Sequence, residues 1–244
     1  MSFNYIGAIK RPFTDFNKLS IGVILTIIPF INILTGFLVK GYKLESARTA
    51  QDKKFAMPKW EKFGNLFVRG LLSWIIGIIY MVPAAVLILS SIGKVLYNIF
   101  LQYGVNQGLS LGDQVSDQLI QNALVQNTTM IPLFVVGVLL ALLAAYLTPI
   151  ALMKYVEKYR FGDAFKLNII FRKAFTSKYF IAVLAVLVYL VIISLINGAL
   201  NLGFGAINVQ ILSAILILIV NGLASFIVIV TSYTIFGEVY SKLK

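Results

Sequence analysis

Between Tyr179 and Gly237 no residue carries a charge. A hydrocarbon core about 30 Å thick is crossed by about 20 apolar residues in helical form, so this interval is too long for one span and long enough for two. Asn201-Leu202-Gly203-Phe204-Gly205 near its middle supplies a turn. Two spans are therefore predicted at about 179–200 and 207–236. Three earlier apolar runs lie at about 19–39, 71–93 and 130–153. Composition points the same way: 59% of the 244 residues are hydrophobic, 12% are charged and the mean hydropathy is +0.91. A soluble domain carries about 25% charged residues, and a surface this apolar needs lipid as its solvent. The predicted fold class is all-α: one integral membrane domain, a polytopic transmembrane helix bundle of about five apolar spans with interfacial amphipathic helices.

The charges orient such a bundle. Lys and Arg number 21 against 9 Asp and Glu, and they gather in two connectors. The 40–65 connector holds Lys40, Lys43, Arg48, Lys53, Lys54, Lys59 and Lys62; the 154–178 connector holds Lys154, Lys158, Arg160, Lys166, Arg172, Lys173 and Lys178. The polar segment 94–129 has Lys94 with Asp113 and Asp117, and the Gly-rich turn has no charge at all. Basic connectors stay in the cytoplasm, so both are expected inside, with 94–129 outside and the C-terminus, bearing Lys242 and Lys244, inside. Positive charge beside apolar spans reads as contact with anionic lipid rather than with nucleic acid.

The first run leaves two alternatives open. A full crossing of 19–39 puts Lys10, Arg11 and Lys18 outside. A re-entrant hairpin hinged near Pro29-Phe30-Ile31-Asn32 keeps every basic segment inside, because proline interrupts a helix. Residues 1–18 do not read as a secretory leader; an interfacial segment is expected, with rings in the headgroup layer and charges in water. Both basic connectors contain Phe-Gly-(Asn/Asp)-x-Phe, at Phe63–Phe67 and at Phe161–Phe165. Gly followed by Asn or Asp suits entry into a helix. After the second copy, Leu167, Ile170, Phe171, Ala174 and Phe175 recur at helical spacing beside Lys166, Arg172, Lys173 and Lys178. An amphipathic helix lying on the cytoplasmic surface is expected there, and those four cations are the candidate contacts for lipid headgroups.

Candidate chemistry is sparse. With no Cys and no His, thiolate nucleophiles, disulfides and the usual metal ligand and general base are all missing. No ionisable residue lies inside a span, which argues against a proton-driven pump. Asn221, Ser225 and Ser232 share one face of the last span; they are read as a candidate polar conduit or as interhelical hydrogen bonding. Ser73/Gly77, Ala141/Ala145 and Ala199/Gly203 have the small-xxx-small spacing of close helix contacts. Asp113 and Asp117 form an i,i+4 pair best read as a solvated face, and Asn127-Thr128-Thr129 matches a glycosylation acceptor. No catalytic residue, metal site or cofactor is expected.

The order of landmarks carries a resemblance. Phe13-x-Asp15, Gly41-Tyr42, Pro58-x-Trp60, Gly64-Asn65-Leu66-Phe67 and Gly70 lead into a span with Tyr80-x-x-Pro83, followed by Pro149, Phe161-Gly162-x-Ala164-Phe165 and Tyr179. From about residue 8 to 240 the chain resembles the DUF4013 family of uncharacterised prokaryotic membrane proteins. The resemblance implies a helical bundle in a prokaryotic cytoplasmic membrane, and brings no activity or site residue. The expected function is a non-enzymatic membrane scaffold or accessory subunit binding lipid, a membrane-protein partner or a second copy of itself. The alternative is a small-solute or lipid transporter using the polar face of the last span.

Overall fold

The computed structural model describes residues 3–28, 32–99, 125 and 128–243. Within them the chain is all-α, with eight α-helices and no strand. These are α1 (Tyr5–Lys10), α2 (Phe16–Ile27), α3 (Asn32–Gln51), α4 (Phe63–Ile99), α5 (Met130–Lys158), α6 (Leu167–Ala174), α7 (Ser177–Gly205) and α8 (Gln210–Ser241). Short 3₁₀ turns at Arg11–Phe13 and Phe161–Phe165 join α1 to α2 and α5 to α6. Four helices, α4, α5, α7 and α8, are long and apolar enough to cross a membrane. Proline stands inside two of them, Pro83 in α4 and Pro149 in α5.

The remaining apolar run, 19–39, is not one helix. Asp15 caps α2 by accepting from the Lys18 amide at 3.1 Å. The helix then stops where Ile28 turns extended, at ψ 113°. Ile28 precedes Pro29, whose ring disfavours a helical conformation in the residue before it. The chain resumes as α3 and packs back along α2. The link between the two helices is only four residues, 28–31, so helices that pack on each other across it run antiparallel. The run is therefore divided between two antiparallel helices.

Two compact units result. The larger comprises Met1–Gly77 and Tyr146–Lys244. In it α8 packs against α3, α7 and α2, around a core of Leu19, Val39, Tyr42, Tyr189, Phe226 and Val230. Tyr42 stacks on Trp60 at 4.0 Å between ring centroids and gives its hydroxyl proton to the Pro58 carbonyl at 2.9 Å. Trp60 in turn donates to the Lys18 carbonyl at 3.0 Å. Gly41-Tyr42 and Pro58-x-Trp60 thus form one knot that ties the 52–62 connector to the hairpin.

The backbones of α3 and α4 nearly touch at Gly41 and Gly70. A Cβ on Gly41 would sit 1.9 Å from the Leu66 carbonyl oxygen, and one on Gly70 would sit 1.8 Å from that of Phe37. Of the small-xxx-small pairs, whose spacing permits close helix contact, Gly77 and Gly203 have no atom within 4 Å of an added Cβ. Spacing along one helix cannot say which partner lies opposite, and here the partner is α3. The smaller unit, Ile78–Ala145, pairs the later part of α4 with the start of α5, where Gly137 lies against Leu87 and Ile88. Asp113, Asp117, Asn127 and most of the 94–129 segment fall outside the described residues.

Candidate functional site

Polar chemistry collects at one end of the larger unit, where the N-terminal segment, both basic connectors and the C-terminus meet. Gln51 donates to the Met153 carbonyl at 3.1 Å, and the Tyr159 hydroxyl donates to Glu45 Oε2 at 2.8 Å. The 40–65 and 154–178 connectors are thereby in direct contact. Lys173 donates to the Leu243 carbonyl at 2.9 Å and lies over the Tyr240 ring. Glu238, buried near the end of α8, accepts from the Asn4 amide at 3.0 Å and pairs with Lys242.

Arg11 stands at the centre of this end and corrects an expectation. Its charge was predicted to lie in water, yet its side chain is fully buried. Nη1 donates to the Ser46 carbonyl at 2.8 Å and to Thr234 Oγ1 at 2.9 Å; Nη2 donates to Thr49 Oγ1 and to the Ala56 carbonyl at 2.8 Å. None of these partners is a carboxylate. Burial pulls the guanidinium down to about 10, with Tyr42 the lesser influence in the opposite direction, so it stays cationic at neutral pH. A buried cation without a counter-ion persists only where hydrogen bonds replace water. Two of the four acceptors, the Ser46 carbonyl and Thr49 Oγ1, belong to the last turns of α3, whose carbonyl end favours positive charge. A planar fork is needed to reach four acceptors at once.

A second node lies beside it. Arg69 Nη1 is 2.7 Å from Glu45 Oε2, the oxygen that also accepts from Tyr159. The Arg69 guanidinium sits 3.7 Å from the centroid of the Tyr159 ring, and that of Arg48 sits 5.1 Å from the same centroid. Tyr159 follows the last residue of α5 with φ at 51°, a left-handed conformation that favours glycine. The cost of a side chain there is about 1–2 kcal/mol, offset by a ring that carries two cations and a hydroxyl that holds Glu45. Burial, then the Glu45 charge, raises the Tyr159 hydroxyl well above its ordinary range. The hydroxyl therefore serves as a donor and not as an acid. Between these groups and the 58–62 turn lies a pocket of about 350 Å³, lined by Glu45, Arg48, Thr49, Lys59, Glu61, Lys62, Asn65 and Arg69 among others.

The candidates named from sequence are placed as follows. Lys166 is exposed and pairs with Asp163 at 2.5 Å; Arg172 and Lys178 are exposed; Lys173, on α6, is tied to Leu243 just past the end of α8. On α6 the apolar stripe divides. Ile170 and Ala174 are buried, whereas Leu167, Phe171 and Phe175 are exposed next to Arg172. Asn221 Oδ1 accepts from Asn197 at 2.8 Å and Asn201 at 2.9 Å, joining α8 to α7. Ser225 is exposed in a groove of about 210 Å³ with Ser194 and Asn197, and Ser232 is buried. The two Phe-Gly-(Asn/Asp)-x-Phe segments differ in form: the first opens α4, and the second is a 3₁₀ turn. Sequence reasoning missed Arg11, Glu45, Tyr159 and Glu238 as a set. The signal it had was the clustering of basic residues, which does not say which of them fold inward.

No curated protein and no solved structure is significantly similar to the chain. The family model described as protein of unknown function, DUF4013, matches residues 21–202. That stretch holds the Tyr42–Trp60 knot, the Gly41–Gly70 crossing and the Glu45–Arg69–Tyr159 node. With about three quarters of its length matched, the chain belongs to the DUF4013 family.

Proposed function

We propose that the protein is a multipass protein of the prokaryotic cytoplasmic membrane and acts as a non-enzymatic scaffold or accessory subunit. Its basic end lies in the cytoplasm and binds anionic lipid and a membrane-protein partner. The observation that carries this reading is the contact between the two basic connectors, Tyr159 to Glu45 at 2.8 Å. Segments that touch lie on one side of a bilayer. Two long helices, α4 and α5, separate the connectors, and two more, α7 and α8, return the C-terminus to Lys173. Four crossings and a re-entrant α2–α3 hairpin satisfy that count and keep the basic segments together, as the positive-inside rule requires. Exposed Leu167, Phe171 and Phe175 beside Arg172 and Lys178 suit an interfacial helix over anionic headgroups.

The chain has no cysteine, which makes the test direct. Single cysteines at Lys54 and Lys158 are expected to resist an impermeant maleimide in right-side-out vesicles and to react in inverted ones. Labelling of the two positions from opposite sides overturns the topology. A monodisperse, partner-free protein purified from native membranes in mild detergent counts against the accessory role. A transporter is the second reading, favoured by the groove at Ser194, Asn197 and Ser225. It requires aqueous labelling of cysteines at both Ser225 and Ser232, and protection of both removes it.

A further inference from the structure

Two guanidinium groups facing one ring, with one carboxylate between them, leave positive charge to be answered. Glu45 is already engaged by Arg69 and by the Tyr159 hydroxyl. Glu61 pairs with Lys59 at 3.3 Å through side chains that are mostly exposed, so water and salt weaken that pair. Four cations line the pocket, Arg48, Lys59, Lys62 and Arg69, against these two carboxylates. Arg48 is half-buried, and among the described residues its guanidinium meets the Tyr159 ring and no carboxylate. Lys62 is exposed at the turn into α4, on a backbone with φ at 54°, and lines the pocket. Arg48 and Arg69 are half-buried, and half-buried cations in a concave site act through a lower dielectric than open surface charges such as Lys62 do, favouring an anion that can replace their water.

The chemistry narrows the anion. A planar guanidinium fork matches the paired oxygens of a phosphoryl group, and a lysine adds a point charge. The pocket volume of about 350 Å³ falls at the small end of ligand sites, about 300–1,000 Å³, which suits a phosphorylated headgroup or a diphosphate. We propose that the pocket between α3, the 58–62 turn and the start of α4 binds a phosphoryl anion, with Arg48 and Lys62 as its principal ligands and Arg69, held by Glu45 and Tyr159, as the fixed wall. The anion comes either from a phosphomonoester lipid at the membrane surface or from a soluble diphosphate. This deepens the proposed role of the basic end, yet it differs from general lipid attraction in naming one pocket and two residues.

The test uses the full chain in nanodiscs of neutral phosphatidylcholine, with two probes. One is inorganic pyrophosphate added to the solution; the other is phosphatidic acid mixed into the disc. Binding is read by the rise in melting temperature and by ³¹P line broadening. The wild type is expected to bind at least one probe, and Arg48→Gln and Lys62→Gln each to weaken it by about tenfold or more. The variant Lys94→Gln, at an exposed cation outside both basic connectors, is expected to bind as wild type. Response to phosphatidic acid alone assigns the site to a lipid headgroup, and response to pyrophosphate assigns it to a soluble anion. Absence of both responses overturns the site, as does binding that falls equally in all three variants. The cysteine-labelling pattern is independent of both outcomes, so this site and the topology fail separately.

Discussion

Replacing Gly70 by alanine tests how the candidate site is assembled. The added Cβ would lie 1.8 Å from the Phe37 carbonyl oxygen and 2.8 Å from the Gly41 nitrogen. Ordinary contact begins at 3.4 Å, so α3 and α4 must part by roughly 1.6 Å, since backbone atoms cannot yield as a flexible side chain would. Overpacking of this kind costs about 1–3 kcal/mol. Alanine also gains about 1 kcal/mol of helix propensity over glycine, which hides part of the loss. Gly77→Ala is the matched control, on the same helix with no atom within 4 Å of its new Cβ. The propensity gain then cancels in the comparison. At about 2–4 °C per kcal/mol for a chain of this size, Gly70→Ala is expected to melt roughly 2–12 °C below Gly77→Ala. Thermal unfolding in one detergent, followed by circular dichroism, measures the difference. Arg69 adjoins the clash, so its 2.7 Å pair with Glu45 is expected to break as the helices separate. A Gly70→Ala protein that melts with or above the Gly77→Ala control refutes the close crossing and the geometry built on it.

Arg11→Lys replaces a fork by a point charge that cannot reach four acceptors, so some of the charge-assisted bonds to Ser46, Thr234, Thr49 and Ala56 are lost; a loss of about 2–3 kcal/mol is expected. The exposed neighbour Lys10→Gln should change little, and equal melting of the two variants would show that the buried fork contributes nothing. Acid is expected to weaken the 161–166 turn. The hydrogen bond from Lys166 holds the Asp163 carboxyl below its ordinary value, so its contribution is complete above pH ~4 and disappears as pH falls through the lowered value. The gap in melting temperature between wild type and Asp163→Asn should therefore close on acidification, and a gap that widens contradicts the assignment.

Much of the frame is legible along the chain because apolar transfer is nearly additive residue by residue. Each of the four long helices covers all or most of one of the uncharged runs, and in the remaining run α2 ends at Ile27, two residues before its one proline. The landmarks that carried the family resemblance turn out to be contact points. Gly41 and Gly70 are where two backbones meet, and Tyr42, Pro58 and Trp60 are members of one stacked and hydrogen-bonded knot.

The candidate site was not legible, and the reason is distance along the chain. Arg11 looks like any basic residue at a membrane surface; what buries it is Thr234, 223 residues away, together with carbonyls of Ser46 and Ala56. Tyr159 looks like an interfacial ring until Glu45, 114 residues earlier, accepts its hydroxyl proton. Lys173 belonged to the expected lipid-facing set, and nothing along the chain signals that it also donates to the Leu243 carbonyl, 70 residues on. The sequence by itself determined which stretches belong in oil, because that depends on sums over neighbours. Only the tertiary structure decided which cations face inward, since a hydrogen bond exists between atoms a few ångströms apart, however many residues lie between them.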